Sequence, residues 1–474
     1  MLQVRILVWL REDLRVIDHP AFTQACHDGR VICGYIDKEN KTSAKDFWLN
    51  QHVGDLQTTL KEEGIELIAK TGKAVEVLKA WVKAYEIDAV YFNRMYLKDE
   101  QEKESAVLHA LEQLGVGVKV FHGDVLTEPG AVTTNKGEPY KVFTPYYKAW
   151  RQVNPFPPFK KPKHCEGIPI QRETDAFKRT KTPDWFAKLL ASFEPGESAA
   201  LQRLEQFIDQ SLDHYSIGRD RPDLEDTTRL SVYLAVGAIS PRTITSRLDE
   251  ALQSGRVDQT ETAEEIEQLK RQLCWRDFSY QQVYQQPQAE TQALRREFDQ
   301  FPWQDKGKAF QRWKEGRTGY PFVDAGMREL YQTGYMHNRV RMVAASFLVK
   351  HLMIDWRDGQ KYFETTLLDH DRANNTLGWQ WVMGSGFDAS PFFRIFNPTT
   401  QAEKFDPEGV YIKRYLPELE QLDPPELFKP FETKTSVLKQ ASIVLDEDYP
   451  GAIVDHKKAR ARALSAYQDI KGGE

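Results

Sequence analysis

Strand-length apolar runs alternate with helix-length amphipathic segments through the first 130 residues, and this alternation constrains the fold more than any other feature. The apolar runs lie at 4–10, 31–37, 65–70, 89–93 and 116–121, and the helical patterns lie at 46–64, 74–86 and 100–114. A regular β–α–β order argues for a parallel sheet covered by helices. We therefore predict a Rossmann-like α/β domain over residues 1–130.

Ligands of such sheets bind beyond the carboxyl ends of the strands, which places a candidate site near Arg11, Asp37, Asn93 and Gly123. The first strand is not followed by a G-x-G-x-x-G segment. The usual dinucleotide fingerprint is therefore absent from this domain.

A change of composition marks the end of the α/β pattern. Seven of the 24 prolines fall between Pro155 and Pro195, among clustered lysines, which indicates a linker with little regular structure over 131–197. After it, helical spacing dominates, at 198–213, 241–254, 262–284, 322–334, 336–353 and 359–368. Ser240 and Pro241 form a helix-start signal. We predict an all-α domain over 198–474.

Charge and cysteine content limit the possible partners and location. The net charge is −6, so a nucleic-acid partner must be met by a local basic patch. Cys26, Cys33, Cys165 and Cys274 are scattered, which supports neither a zinc ribbon nor a disulfide framework. The N-terminal apolar run is too short for a membrane span and lacks a signal-peptide pattern. These features favour a cytoplasmic protein.

The first polar constellation lies in the segment 215–231. Thr227, Thr228, Arg229 and Ser231 occur where a loop enters a helix. Free backbone N–H groups, hydroxyls and a guanidinium favour an anion such as a pyrophosphate. Ordinary helix capping is the alternative interpretation.

Two further constellations lie on predicted helices. Gln272, Trp275 and Arg276 share one side of a helix and suit a heteroaromatic guest, although one buried tryptophan and a solvated arginine would give the same pattern. Asn338, Arg341 and Met342 are also helical neighbours, and an amphipathic helix with a basic outer face is the alternative.

The densest constellation spans 367–381. Asp369 and Asp371 are candidates for a buried polar network with Arg341, and two asparagines and two tryptophans follow in what we interpret as a short loop. So many polar groups among apolar neighbours are costly unless they bind something or each other. In the next segment, 391–398, basic and aromatic residues interleave, as they do at single-base pockets.

Five motifs in order resemble the cryptochrome/photolyase family, and within it the class I cyclobutane pyrimidine dimer photolyases of microbes. They are WKEGRTGYP at 313–321, MHNR at 336–339, DWRDG at 355–359, NTLGWQW at 375–381 and RIFNP at 394–398. REDLR at 11–15 and IVDHK at 453–457 resemble the same family. The resemblance spans nearly the whole chain.

The resemblance implies an α/β antenna domain, a long linker and a helical domain that binds FAD. Asn375 matches the residue that faces flavin N5, where plant cryptochromes carry Asp, so Asn favours a repair enzyme. The positions that match FAD contacts are Tyr215, Thr227, Thr228, Leu230, Ser231, Asn338, Arg341, Asp369, Asp371 and Asn375.

The resemblance also implies the substrate and the chemistry. Excited reduced FAD would pass an electron to a cyclobutane dimer that has been flipped out of damaged DNA. Trp303, Trp356 and Trp379 match the family's electron-transfer chain. Gln272, Trp275, Asn338, Met342 and Trp381 match dimer-pocket positions, and Arg219, Arg339 and Arg394 match the rim that grips phosphates. We expect a monomer with no bound metal.

Two positions depart from the class I pattern. Gln272 stands where that class has Glu, and Asp99-Glu100 stands where folate-binding members have Asn-Glu. Through Glu100, a methenyltetrahydrofolate antenna is favoured over a deazaflavin, and an absent antenna is the third alternative.

Three other functions remain as alternatives. The first is a cryptochrome photoreceptor, against which we count the absence of a long C-terminal tail after 466–468. The second is a (6-4) photolyase, whose branch carries a histidine pair where this chain has Asn338 and Met342. The third is an ordinary dark flavoenzyme, for which nothing suggests a nicotinamide or small-substrate site.

Overall fold

The computed structural model describes residues 3–153, 157–172, 175–258, 260–386, 388 and 394–471. Its sheet contains the strands β1 (Val4–Leu10), β2 (Gly29–Asp37), β3 (Leu67–Thr71), β4 (Ala89–Asn93), β5 (Gly117–Phe121) and β6 (Glu166–Gly167). The order is β3-β2-β1-β4-β5, β6 also pairs with β2, and every pair is parallel. The predicted α/β fold with a parallel sheet is confirmed.

Helices cover this sheet because their apolar faces pack on its buried strands. Leu7 of β1, Ile32 of β2 and Val90 of β4 are fully buried in one core with Leu78 and Trp81. The helices of this part are α1 (Pro20–Asp28), α2 (Ala44–Glu62), α3 (Ala74–Tyr85), α4 (Lys98–Glu112), α5 (Phe143–Trp150), α6 (Asp184–Ala187) and α7 (Glu197–Gln210).

The rest of the chain is largely helical, as predicted. Its helices are α8 (Tyr215–Gly218), α9 (Ser231–Leu234), α10 (Pro241–Gln253), α11 (Thr262–Gln285), α12 (Gly307–Lys314), α13 (Pro321–Thr333), α14 (Asn338–Ser346), α15 (Trp356–Thr366), α16 (Arg372–Met383), α17 (Pro398–Phe405), α18 (Val410–Tyr415), α19 (Thr435–Gln440) and α20 (His456–Lys471). A π-helical turn, Phe347–His351, follows α14. Short 3-10 turns lie at Leu189–Ala191, Leu212–His214, Pro287–Glu290, Arg296–Gln300, Pro417–Leu419, Glu426–Phe428 and Pro430–Glu432.

The chain forms two compact units whose boundaries interleave in sequence. The first contains the residues up to Asp213, together with Thr228–Pro287 and Leu368–His370. The second contains His214–Thr227, Gln288–Leu367 and the chain from Asp371 onward. In the second unit, one core contains the fully buried Trp313 and the 2% exposed Trp356 and Trp379. The boundaries predicted at 130 and 197 stay a prediction.

The scattered cysteines were expected to support no disulfide framework, and this expectation missed one disulfide, between Cys26 and Cys165. Cys26 lies near the end of α1, just before β2, and Cys165 precedes β6. Since Arg30 of β2 pairs with Glu166 of β6, the fold brings together two cysteines that are 139 residues apart in sequence. Cys33 and Cys274 are free and buried.

The prediction of a short loop after Asp371 is also wrong, because residues 372–383 form α16. The Asp371 side chain accepts a hydrogen bond from the Asn374 N–H, which caps the helix N-terminus. Gly384 ends the helix with φ at +93°, a conformation that favours glycine. In the described part of the chain, no helix is long and apolar enough to cross a membrane.

Candidate functional site

Ser231 connects the start of α9 to the segment Leu368–His370 within the first unit. Its hydroxyl donates to the Asp369 carboxylate at 2.7 Å. The Thr228 hydroxyl accepts from the Leu230 N–H at 3.2 Å, and the Thr228 carbonyl accepts from Arg203 at 3.1 Å. The predicted loop-to-helix transition is present, but α9 has only four residues. A local turn before α9 therefore accounts for the Thr228 hydroxyl, since no side chain among the described residues caps this helix, and the Ser231–Asp369 pair forms a separate polar contact.

Helix α11 carries the predicted constellation of Gln272, Trp275 and Arg276. The Gln272 amide donates to the Gln268 carbonyl at 3.1 Å, one turn earlier in the same helix. Arg276 donates to the Asp124 carbonyl and lies 4.8 Å from the ring centre of Tyr280. Gln272 and Trp275 are both half-buried, which suits side chains that meet a guest.

Trp275 stacks on Phe143, the first residue of α5. The two ring centres are 3.5 Å apart and the planes differ by 5°. Phe143 is 1% exposed and also stacks on Tyr147, with ring centres 5.7 Å apart. The linker region thus contributes an aromatic layer under Trp275.

Helix α14 of the second unit carries Asn338, Arg341 and Met342. The Asn338 amide lies 3.9 Å from the Met342 sulfur, which confirms that the two side chains are neighbours. The Arg341 guanidinium donates to the Met336 carbonyl at 2.6 Å and lies over the Tyr335 ring. The pairing of Arg341 with Asp369 and Asp371 stays a prediction.

Helix α16 presents an amide beside bare backbone. The Asn375 side-chain amide donates to the Gln360 carbonyl at 3.2 Å. Three residues later, a Cβ placed on Gly378 would meet no atom within 4 Å among the described residues. Because residues three apart share a helix face, Asn375 adjoins a surface that none of the described residues covers, and a flat ring can lie there.

The three predicted electron-transfer tryptophans lie in the second unit with graded exposure. Trp379 and Trp356 are each 2% exposed, and Trp303 is half-buried beside Phe301. Gly359 explains how α15 and α16 approach closely, because a Cβ there would lie 2.1 Å from the Trp379 ring. Buried and half-buried indoles of this kind suit a path between an interior group and solvent.

The predicted phosphate-gripping arginines also lie in the second unit. Arg339 pairs with Asp220 at 2.7 Å and lies 4.3 Å from the ring centre of Phe405. Arg219 lies over Tyr215, a buried residue at the start of α8. Arg394 is exposed, and Trp381 is half-buried and stacks on Phe396. The first part of the predicted 391–398 segment, 391–393, lies outside the described residues.

Lys350 is a functional candidate that the sequence interpretation missed. It is 4% exposed, and its amine donates to the Arg394 carbonyl. Burial, with a smaller contribution from the Arg394 charge, lowers the pKa of Lys350 to about 7. Asp220 and Phe143 were missed as well. The signal for Asp220 was a carboxylate between two arginines, at 219–221. The signal for Phe143 was a second aromatic residue four positions later, at 147.

The antenna candidate Glu100 lies in the first turn of α4. Its carboxylate accepts from the Leu97 N–H at 3.2 Å, so it caps its own helix. Asp99 pairs with Lys103 at 3.0 Å on the surface.

The strand order reverses between β1 and β4, and the polar residues there bind one another. Arg11 pairs with Glu104 at 2.7 Å and donates to the Asn93 carbonyl. Nearby, Asp37 pairs with Lys41, and the Gly123 carbonyl accepts from Arg15. The predicted ligand crevice is thus lined by side chains that are already bonded to each other.

Comparisons with known proteins agree with this architecture. Residues 6–163 match the model of the family described as DNA photolyase, and residues 269–469 match the one described as the FAD binding domain of DNA photolyase. The chain is 40% identical over 478 residues to a deoxyribodipyrimidine photo-lyase of Agrobacterium fabrum, with 98% of each chain covered.

Solved structures agree as well. A bacterial class III photolyase from Agrobacterium tumefaciens matches with a TM-score of 0.94 at 39% identity, over 99% of this chain and 98% of that one. A cryptochrome from Synechocystis matches with a TM-score of 0.88 at 27% identity, over 98% of this chain and 99% of that one.

Proposed function

The chain belongs to the DNA photolyase family, and from this premise we propose that it repairs cyclobutane pyrimidine dimers in DNA by light-dependent electron transfer from reduced FAD. Such an enzyme is a deoxyribodipyrimidine photo-lyase. The observation that carries the proposal is the face of α16, where Asn375 adjoins the bare surface at Gly378 and the buried Trp379 follows. One helix thus offers a hydrogen-bonding amide, a flat surface and an aromatic electron donor.

The residues present fit FAD by their chemistry. A flat ring needs an uncovered surface, which Gly378 supplies, and amide and guanidinium donors suit its carbonyl and nitrogen atoms. When bound and reduced, FAD supplies a light-absorbing electron donor. We propose that the cofactor is held by Tyr215, Thr227, Thr228, Leu230, Ser231, Asn338, Arg341, Asp369, Asp371 and Asn375.

The chain's own residues would then perform three tasks. Trp303, Trp356 and Trp379 would deliver electrons from solvent. Arg219, Arg339 and Arg394 would neutralise DNA phosphates, which positions the duplex without reading its sequence. Gln272, Trp275, Asn338, Met342 and Trp381 would contact the flipped-out dimer, whose extrusion is cheaper than that of a sound base pair.

The antenna, location and oligomeric state complete the proposal. We propose a methenyltetrahydrofolate antenna at Glu100 over a deazaflavin, because of the family resemblance at that position. We propose a monomer that acts on DNA in the cytoplasm.

A cryptochrome photoreceptor is the second candidate. Gln272 favours it, since this residue departs from the class I pattern and its amide donates to its own helix at Gln268. The similarity to the Synechocystis cryptochrome points the same way. A photoreceptor would bind FAD but would leave dimers intact.

The proposed function is tested by illumination of the FAD-reconstituted, reduced protein with an oligonucleotide that contains one thymine cyclobutane dimer. We expect blue light to restore the two thymines while the dark control stays unchanged. Full FAD binding with no light-dependent repair would contradict the enzyme and favour the photoreceptor. Failure to bind FAD would contradict both.

The placement of FAD against α16 is tested by Gly378→Ala. The new methyl group meets no described atom within 4 Å, and alanine favours a helix, so the apo protein should be at least as stable as the wild type. FAD affinity should fall, by about tenfold or more, because the methyl group would occupy the space of the ring. Titration of apo protein with FAD measures this effect, and unchanged affinity would place the cofactor elsewhere.

A further inference from the structure

The aromatic pair Phe143–Trp275 in the first unit has an unusual geometry. Aromatic side chains ordinarily meet offset or edge to face, with ring centres about 4.5–7 Å apart. Here the centres are 3.5 Å apart and the planes are within 5° of parallel. The rings therefore overlap, and Phe143 stacks on one face of the indole.

Phe143 is itself held from several directions. Phe278 meets its ring edge to face with ring centres 5.7 Å apart, and Tyr147 stacks on it with ring centres 5.7 Å apart. The Arg271 guanidinium lies 5.4 Å from the ring centres of both Phe143 and Tyr147. The Tyr147 hydroxyl donates to Glu267 of α11, which fixes α5 against that helix. Phe143 is thus part of a rigid layer.

Trp275 is consequently fixed in orientation. Phe143 covers one face, and Phe278 meets the indole edge to face at 5.7 Å and 81°. Trp275 is nevertheless half-buried rather than buried. Its exposure therefore belongs to the opposite face and the remaining edges. A flat guest that stacks on Trp275 has one face available to it.

We propose that Phe143 is the positioning residue for Trp275, and that it sets the preference for damaged over undamaged DNA. The inference rests on the proposed function, in which Trp275 contacts the flipped-out dimer. A preordered platform loses no side-chain freedom when the lesion stacks on it. Undamaged DNA, which keeps its bases in the helix, does not use the platform and gains nothing from its order. Phe143 belongs to the predicted linker, so this segment takes part in lesion recognition.

The test compares Phe143→Leu with Phe143→Tyr, which keeps the ring, and with Phe186→Leu, which removes a fully buried phenyl ring from α6 of the same linker region. Dissociation constants are measured in the dark by fluorescence anisotropy. The probes are a duplex with one thymine cyclobutane dimer and the same duplex without it.

We expect Phe143→Leu to weaken binding of the dimer duplex roughly three- to tenfold, the range that one aromatic stack supports, with undamaged affinity within about twofold. Phe143→Tyr and Phe186→Leu should keep the wild-type ratio of the dissociation constant for undamaged DNA to that for the dimer duplex. If Phe143→Leu does not fold, Phe143→Met, whose unbranched and flexible side chain fills irregular gaps, is measured instead.

The outcomes separate the two claims. A Phe143→Leu variant that keeps the wild-type ratio overturns the role of Phe143 and leaves the proposed function standing. An equal loss of affinity for the dimer duplex in Phe186→Leu overturns the role of Phe143 as well, because the effect would then come from general destabilisation of the linker region. A wild type with no preference for the dimer contradicts the proposed function, and the role of Phe143 falls with it.

Discussion

Gln272 stands where the class I photolyases that the sequence resembles carry Glu. A thymine dimer offers carbonyl acceptors and ring N–H donors, and a glutamine amide can serve both without charge. One amide N–H already donates to the Gln268 carbonyl, which orients the side chain on α11. A glutamate can donate only when protonated, but a carboxylic acid would stabilise the reduced dimer better than an amide does.

We therefore predict that Gln272→Glu raises the yield of dimer repair per absorbed photon. Affinity should change by no more than about one hydrogen bond, ~1 kcal/mol. Repair per photon and dark affinity on one dimer-containing oligonucleotide measure the two effects. A lower yield in the variant would mean that the amide is the better partner for the dimer.

The arginines of the proposed DNA rim differ in their surroundings. Arg394 is exposed, whereas Arg339 pairs with Asp220 and packs on Phe405. Arg394→Ala and Arg339→Ala should each weaken DNA binding and lower the slope of log affinity against log salt by about 1. Arg339→Ala should weaken DNA binding more than Arg394→Ala does, because it leaves the Asp220 carboxylate unpaired and facing the DNA phosphates. A surface control, Arg247→Ala, should change neither quantity. Unchanged slopes in both rim variants would place the DNA elsewhere.

At the scale of elements, α15 and α16 bring the proposed electron path together. Trp356 begins α15, Trp379 lies on α16, and Gly359 allows the two helices to approach. Trp356→Phe should abolish photoreduction of oxidised flavin by an external donor. It should barely change repair when the flavin is already chemically reduced. Trp81→Phe, a buried tryptophan in the α/β core, is the matched control. Photoreduction that survives in Trp356→Phe would show that electrons travel another way.

Helix α7 is tied to the segment after β1 through Glu197. Its carboxylate accepts the Val16 and Ile17 N–H groups at 3.0 and 2.8 Å, and burial raises its pKa to about 6. Because this folded-state pKa exceeds the unfolded value of 4.5, the contribution to stability is full below pH 4.5 and is lost as the pH rises through 6.

We predict that this loss, at most about 2 kcal/mol, disappears in Glu197→Gln. Unfolding free energies at pH 4.5 and pH 7.5, with the exposed Glu62→Gln as control, measure it. The unfolding free energy of the wild type, relative to that of Glu197→Gln, should fall as the pH rises from 4.5 to 7.5. An identical pH dependence in all three proteins would mean that Glu197 ionises in the fold as freely as in solution.

The sequence predicted a strand or a helix correctly where a single local pattern, such as alternating apolar runs or a helix-capping pair, was strong. The β–α alternation located five strands, and Ser240 caps α10 by accepting the Thr243 N–H at 3.0 Å, as its position before Pro241 indicates. Helix α16 was missed because asparagines, a glycine and aspartates resemble a loop. Only the capping bond from Asn374 to Asp371 reveals these residues as the start of a helix.

At the scale of the whole molecule, contacts between distant segments were the part that sequence could not supply. The bond between Cys26 and Cys165 depends on β6 joining the sheet, and the stack of Phe143 on Trp275 joins residues from a supposed linker and a helix. Neither pair has a periodic pattern to reveal it. The family resemblance supplied the expected roles of individual residues, and the structure supplied the neighbours through which those residues act.

The central claim is that this chain repairs cyclobutane dimers with light. The most direct measurement is repair per photon by the fully reduced, FAD-loaded wild type on two matched oligonucleotides, one with a thymine cyclobutane dimer and one with a (6-4) lesion. We predict light-dependent repair of the cyclobutane dimer and none of the (6-4) lesion. Repair of neither lesion, with flavin bound and reduced, would contradict the claim in favour of a photoreceptor, and repair of only the (6-4) lesion would contradict the assigned substrate.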